Sequence, residues 1–246
     1  MDKMVYLAMA GAKQIFDAQT ANNNNLANAT TPGFRASFEA FKSLPVYGPG
    51  HASRVYAVAN DAGLDLSSGP LMTTGRDLDV AVRGEGYIAV QAPDGTEAYT
   101  RAGDLHVTET GLLETGAGHL VLGESGPVVV PPSSKIEVGR DGTVSLIPLG
   151  LTPNTVAVID RIKLVNPPSD QLYKGEDGLL RVPEGTTVAP DASVQLVSGA
   201  LESSNVNAAE ALVNMISLAR QFEMHVKALQ TAEQNDETSA KLLRME

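Results

Sequence analysis

The chain has 246 residues, 43% of them hydrophobic, with no cysteine and a formal net charge of −11. That length and apolar content suffice for one large folded domain or two small ones, and the missing thiols exclude disulfides, thiolate zinc sites and cysteine nucleophiles. Residues 1–33 carry two basic and two acidic side chains, residues 207–246 four and six, and the middle 12 against 21. So acidic a centre repels phosphate backbones and anionic headgroups, which makes nucleic acid and lipid surfaces poor candidate partners.

Met4, Ala8, Gly11, Ile15, Ala18, Asn22 and Asn25 recur in steps of four and three, the rhythm of one face of a coiled-coil helix. A helix over residues 2–27 is expected, roughly 38 Å long at ~1.5 Å per residue. It stops near Pro32-Gly33, because proline disfavours helical geometry before it and glycine accepts the turn. Asp2, Lys3, Lys13, Asp17 and Gln14 interrupt the apolar run a cleavable export signal needs. Any export must therefore use a route that reads no such signal, and no uncharged apolar run is long enough to insert in a membrane. Residues 1–33 thus form a helix and its turn. Residues 34–75, punctuated by Pro45, Gly48-Pro49-Gly50, Gly63 and Gly69-Pro70, read as an extended connector packed on the helices.

From Leu78 the pattern turns strand-like. Leu78, Val80 and Val82 alternate with Asp79, Ala81 and Arg83, and Tyr87-Ile88-Ala89-Val90-Gln91 runs into Pro93-Asp94-Gly95, a tight hairpin signal. Thr110-Gly111 and Arg140-Asp141-Gly142-Thr143 repeat it, so residues 76–200 are expected to form an antiparallel β-domain. No chemistry emerges there. Gly84-Glu85-Gly86-Tyr87-Ile88-Ala89 matches a loose dinucleotide fingerprint, but a strand follows where a helix N-terminus is needed. His51, His106, His119 and His225 show no ligand spacing. Gly123-Glu124-Ser125-Gly126 lacks the nucleophile-elbow spacing, Asp77 and Asp79 read as the solvent face of a strand, and Glu176-Asp177-Gly178 reads as a charged turn. The expectation is no enzyme, with no catalytic residue, cofactor or metal.

Residues 201–246 return to helix. Asn207 is placed to cap it, with Glu210 three residues on closing a capping box. Ala208, Leu212, Met215, Ala219, Phe222, Val226, Leu229, Glu233, Asp236, Ala240 and Leu243 keep the coiled-coil spacing over about five heptads. The two terminal stripes can pair inside one molecule for part of their length. Such pairing cannot bury two faces of a helix at once, and Val206, Val213, Ile216 and Met224 add apolar surface outside the seam. The fold class is therefore read as mainly β with long terminal α-helices, an antiparallel β-domain inserted between N- and C-terminal coiled-coil-forming helices.

Asn25-Leu26-Ala27-Asn28 leading into Thr31-Pro32-Gly33-Phe34-Arg35 resembles the N-terminal signature of the flagellar rod and hook family. Glu202-Ser203-Ser204-Asn205-Val206-Asn207, followed by Glu210, Met215-Ile216, Arg220 and Phe222-Glu223, is similar to the signature opening that family's C-terminal helix. Within the family, the length, the stretch Gly75–Tyr87 and Tyr99-Thr100-Arg101-Ala102-Gly103 resemble proximal-rod subunits; the run Asn22–Asn25 is more polar than the family pattern.

The resemblance implies a structural subunit of the bacterial flagellar basal-body proximal rod, self-assembling through its terminal helices into the axial drive shaft that transmits torque. A distal-rod subunit is the nearest alternative. A secreted carbohydrate-binding β-domain on a coiled-coil stalk is a competitor of another class, but it calls for exposed aromatics, and the chain has no tryptophan and only 4% aromatics. The implied partners are other rod subunits, copies of itself and the flagellar type III export apparatus. The implied location is the rod spanning the periplasm, reached without a cleaved signal. The residues assigned to subunit contact are Ile15, Leu26, Asn28, Pro32, Gly33 and Phe34 at one end, and Val206, Asn207, Glu210, Leu212, Met215, Ile216, Ala219, Phe222, Val226 and Leu229 at the other.

Overall fold

The computed structural model describes residues 3–45, 55–148, 156–183, 185–186 and 188–243. They divide into a helical unit, Met1–Ala29 with Ala36–Asp65 and Val206–Glu246, and a β unit, Thr30–Arg35 with Leu66–Asn205.

The helical unit holds α1 (Lys3–Ala27), the antiparallel strands β1 (Ser37–Pro45) and β2 (Val55–Leu64), and α2 (Ala208–Leu243). α1 ends at Ala27, before the proline, where the Asn28 backbone N–H and side-chain amide both donate to the Asn24 carbonyl. α2 starts where its cap predicts: Asn207 Oδ1 accepts from the Ala209 N–H at 3.1 Å and the Glu210 N–H at 3.4 Å. Residues 37–45 and 55–64, expected as connector, instead pair as a hairpin with Ser37 opposite Leu64 and Pro45 opposite Val55. α1 packs on this hairpin as well as on α2.

In the β unit, β3 (Leu71–Thr73), β4 (Val80–Arg83), β5 (Tyr87–Gln91), β6 (Glu97–Thr100), β7 (Leu105–Val107), β8 (Leu113–Thr115) and β9 (Leu120–Val121) come first. Then follow β10 (Ser133–Val138), β11 (Thr143–Pro148), β12 (Ala157–Arg161), β13 (Leu164–Val165), β14 (Tyr173–Lys174), β15 (Leu180–Arg181), β16 (Gln195–Ser198) and β17 (Ala200–Glu202). The largest sheet runs β14-β15-β6-β5-β9-β8-β7, with β13 also pairing β5; β10-β11-β12 form a second sheet, and β16-β4 and β17-β3 are two-stranded. The Asp-Gly turns make the hairpins. Gly95, Gly142 and Gly178 all have φ between 81 and 85°, the left-handed geometry glycine adopts freely. The preceding Asp94, Asp141 and Asp177 each accept a hydrogen bond from the backbone N–H two residues on. Val80, Val82, Ile88, Val90, Leu105, Leu113, Val121, Val144, Leu146, Ile162 and Leu196 supply the core.

Beside that core lies a buried ionic cluster. Glu202 Oε1 accepts from Arg35 Nη2 at 2.5 Å and from the Gly69 N–H at 2.8 Å, while Oε2 pairs with Arg101 Nη1 at 3.1 Å. The rest of Arg101 is used too: Nε donates to the Gly86 carbonyl at 2.9 Å and Nη2 to that of Gly84 at 2.7 Å, and the guanidinium lies over the Tyr87 ring. Asp79, read from sequence as solvent-facing, is buried and paired with Arg76 at 3.4 Å, because β4 is buried on both faces along Val80-Ala81-Val82.

The fold class needs correcting on two counts. Helix and strand are close to parity, at 29% and 34%, so the chain is not mainly β. The helices do stand at the two ends, but they do not establish a coiled coil. α2 turns Ala211, Met215, Leu218, Phe222, His225, Leu229 and Ala232 inward, whereas Ala208, Leu212, Glu233 and Ala240 of the expected heptad seam are exposed. Small side chains at the contact let the helices approach closely, and α1 divides its packing between α2 and the hairpin, where a coiled coil would rest on one a/d seam of apolar knobs.

Glu202→Ala leaves two buried guanidinium groups without their counter-charge, and is expected to destabilise the β unit by about 3–5 kcal/mol. Urea denaturation followed by the buried Tyr87 and Tyr99 measures this. A loss below about 1 kcal/mol, the level of an exposed pair, would refute the central role of the carboxylate.

Candidate assembly surface

Each terminal helix has an inner and an outer face. On α1 the inner face carries Ala8, Gly11, Ile15, Ala18, Asn22 and Asn25, with Ala8 and Asn25 buried and the others half-buried. The His225 imidazole of α2 rests against Gly11, filling the space where any side chain at that position would stand. Asn22 Nδ2 donates to the Ala211 carbonyl at 2.8 Å, bonding α1 to the first turn of α2. Asn25 acts as a short piece of strand: its Nδ2 donates to the Ser37 carbonyl at 2.8 Å and its Oδ1 accepts from the Ser37 N–H at 3.0 Å, fixing where β1 begins. Asn22 and Asn25 of the polar run thus serve the inside of the helical unit, while Asn23 and Asn24 are exposed.

The outer faces carry exposed apolar side chains interleaved with exposed polar ones, Lys13 and Thr20 on α1 and Arg220, Glu223 and Lys227 on α2. At 3.6 residues per turn, Tyr6, Met9 and Phe16 fall on the side of α1 opposite Gly11 and Asn22, and Phe16 is 60% exposed. On α2, Val213, Ile216 and Met224 lie opposite Met215, Phe222 and Leu229, with Leu212 at the margin; Val213 is 66% exposed. Single exposed apolar residues are ordinary, whereas rows of them along two packed helices mark a candidate contact surface.

The turn between α1 and β1 is anchored differently. Thr30–Arg35 belongs to the β unit. Gly33, at φ 68°, is pressed on the Arg101–Ala102 backbone, which leaves no room for a side chain, and its N–H donates to the Glu202 carbonyl at 2.8 Å. The Lys174 ammonium lies 3.8 Å from the Phe34 ring centroid and donates to the Arg35 carbonyl at 2.8 Å. Burial pushes Lys174 down to about 8, against the pull of ring and carbonyl, both of which favour the charged form.

Two family models match this chain: the flagellar basal body rod FlgEFG protein C-terminal over residues 197–242, and the flagellar hook protein FlgE/F/G D1 domain over residues 81–146. The chain is 42% identical to the flagellar basal-body rod protein FlgF of Salmonella typhimurium and 40% identical to that of Escherichia coli, in both cases across the whole of each chain. It is 32% identical to FlgG of Bacillus subtilis over 95% of this chain and 96% of that one. The chain belongs to the flagellar basal-body rod protein family.

The residues assigned from the rod-family signatures take three places in this structure. Leu212 and Ile216 are exposed on the outer face of α2, and Asn207 and Glu210 are exposed at its start. Ile15, Met215, Phe222 and Leu229 face inward and are half-buried, with Ala219 and Val226 beside that seam and Leu26, Asn28, Pro32 and Val206 half-buried near the helix ends. Gly33 and Phe34 are held by contacts within the chain itself, the first with Glu202 and the second with Lys174. Tyr6, Met9 and Phe16 were missing from that assignment; they share one side of α1 at a spacing of three and seven, with Lys13 in the gap. Of the histidines, His106 Nε2 lies 2.8 Å from Glu114, His225 is used in helix packing, and His51 falls outside the described residues. Among the described residues no group of three or more His, Cys, Asp and Glu could hold a metal ion.

The Lys174 environment gives this rod-family β unit a pH signature. With its pKa lowered to about 8 in the folded chain and near 10.5 when unfolded, the unfolded state binds more protons between those values, so stability rises with pH across that window. Tyr87 and Tyr99, both raised by burial, act in the opposite direction above their ordinary 10. Urea midpoints of the β unit are therefore expected to climb from about pH 8 to about 9.5 and to stay level in Lys174→Met. Equal slopes in the two proteins would show that the ammonium pays no desolvation penalty.

Proposed function

We propose that this rod-family member, a structural subunit of the flagellar basal body, joins its neighbours through the outer faces of α1 and α2, while the inner faces hold the helical unit together. The single observation that carries this reading is the pair of exposed apolar stripes, Tyr6–Met9–Phe16 and Leu212–Val213–Ile216–Met224, each opposite a face already packed. These residues stay exposed after α1 has packed on both α2 and the hairpin, and exposed apolar rows of this kind mark contact surfaces. The partners are other rod subunits or copies of this chain, and the stacked helices transmit torque as part of the drive shaft. Placement in the proximal rod is supported by the end-to-end match to FlgF relatives at 42 and 40% identity, against 32% and a shorter overlap with the FlgG relative.

The subunit works mechanically and carries out no reaction of its own, a reading supported by the structural character of its family. Passage through the flagellar type III apparatus is part of the proposal. Among the described residues no helix is long and apolar enough to cross a membrane.

The double variant Val213→Asp, Ile216→Asp tests the surface. Both positions are exposed in the free subunit, so its unfolding midpoint should stay within about 0.5 kcal/mol of the parent. Buried between subunits, the two carboxylates would each cost several kcal/mol. Incorporation into purified basal bodies and swimming should therefore fail. Normal incorporation of the variant would rule the outer face out as the joint.

A further inference from the structure

Met9 stands 57% exposed on the outer face of α1 and Met224 61% exposed on that of α2, whereas Met215, on the inner side of α2, is half-buried. Met72, on β3, is 55% exposed in the β unit and belongs to neither helical stripe. The chain has no cysteine to intercept an oxidant, so its accessible sulfur is thioether. Methionine suits a contact surface because its side chain is long, flexible and polarizable. The same sulfur is open to two-electron oxidation wherever solvent reaches it.

We propose that Met9 and Met224 form a peroxide-sensitive modification site on the assembly surface, whose conversion to sulfoxide blocks incorporation of the free subunit; this rests on the outer-face reading above. The step is balanced. The sulfur lone pair attacks one oxygen of hydrogen peroxide, the O–O bond breaks, the sulfur gains that oxygen and is oxidised by two electrons, and the peroxide leaves as water. The product is a strongly polar S=O group beside the exposed apolar side chains of the stripe. On burial between subunits it would lose its hydration. Once assembled, the same two sulfurs are covered, so the site is open only before incorporation.

The test has two arms. In the first, the folded wild-type subunit is treated with hydrogen peroxide and peptide-mapped over time. Met9, Met224 and Met72 should convert at similar rates and about ten-fold faster than Met215, following their accessibility. Protection of Met9 or Met224 to the level of Met215 overturns the proposal. In the second arm, Met9→Gln with Met224→Gln, which places a polar amide where the sulfoxide would stand, is compared with Met9→Leu with Met224→Leu and with Met72→Gln. Incorporation into basal bodies should be lost in the glutamine pair and kept in the leucine pair and in Met72→Gln. Incorporation of the glutamine pair at the wild-type level overturns the proposal, as does loss of helical structure in that pair, because outward-facing positions tolerate the change. The Val213→Asp, Ile216→Asp variant separates the two readings. If it is incorporated normally, the outer-face reading has failed; if it is excluded while the glutamine pair is incorporated, only the oxidation inference has failed.

Discussion

One carboxylate, Glu202, fixes the geometry of the β unit. It accepts from Arg35, Arg101 and the Gly69 N–H, and so ties segments that are 167, 101 and 133 residues away in sequence to the end of β17. Two guanidinium groups around one carboxylate leave a surplus positive charge in the interior. Arg101 disperses it over the Gly84 and Gly86 carbonyls and the Tyr87 ring. A buried ion group of this kind does little for net stability compared with an apolar replacement, but removing any one member leaves an uncompensated charge. Its value is in specifying a single arrangement: the Pro32-Gly33-Phe34 turn has one seat, with Gly33 against the Arg101 backbone and Phe34 under Lys174.

The helical unit follows a different rule. Its most buried positions are small or polar: Ala8, Gly11, Ala211 and Ala232 allow close approach, and the amides of Asn22 and Asn25 satisfy backbone groups that the packing would otherwise strand. Ile15, Met215, Leu218, Phe222 and Leu229 turn inward and are half-buried, while Phe16, Val213, Ile216 and Met224, equally large, are exposed. Large apolar side chains therefore stand on both sides of these helices, where a soluble helical pair usually keeps most of them inside.

Much of this was legible in the sequence. The Asp-Gly turns gave hairpins, with Gly95, Gly142 and Gly178 in the left-handed region, and Asn207 gave the start of α2. The seam of α2 was harder to read. The stripe through Leu212, Met215, Ala219 and Phe222 and the stripe through Ala211, Met215, Leu218 and Phe222 share every second position, and hydropathy does not separate them, because Leu212 over Ala211 is offset by Leu218 over Ala219. The choice is made by α1, whose Asn22 bonds the Ala211 carbonyl and whose Gly11 receives the His225 ring. The β1–β2 hairpin was hidden behind Gly and Pro punctuation that local patterning reads as connector. The ionic cluster was out of reach altogether, because Arg35, Arg101 and Glu202 carry no local signal that they meet.

The charge distribution bears on how such subunits associate. Helical ends with two basic and two acidic side chains in residues 1–33, and four against six in residues 207–246, are close to neutral, whereas the β unit, Thr30–Arg35 with Leu66–Asn205, holds 10 basic against 18 acidic groups. Two copies brought together therefore feel little repulsion from the segments that carry the apolar stripes. The repulsion comes from the β units, and at physiological ionic strength it is screened beyond about 8 Å. Had the surplus been spread evenly, every approach of one outer face to another would have required desolvating like charges, which costs more than burying a few aliphatic side chains returns. Concentrating most of the acidic surplus on the β unit leaves the helical segments with little net charge of their own to oppose contact.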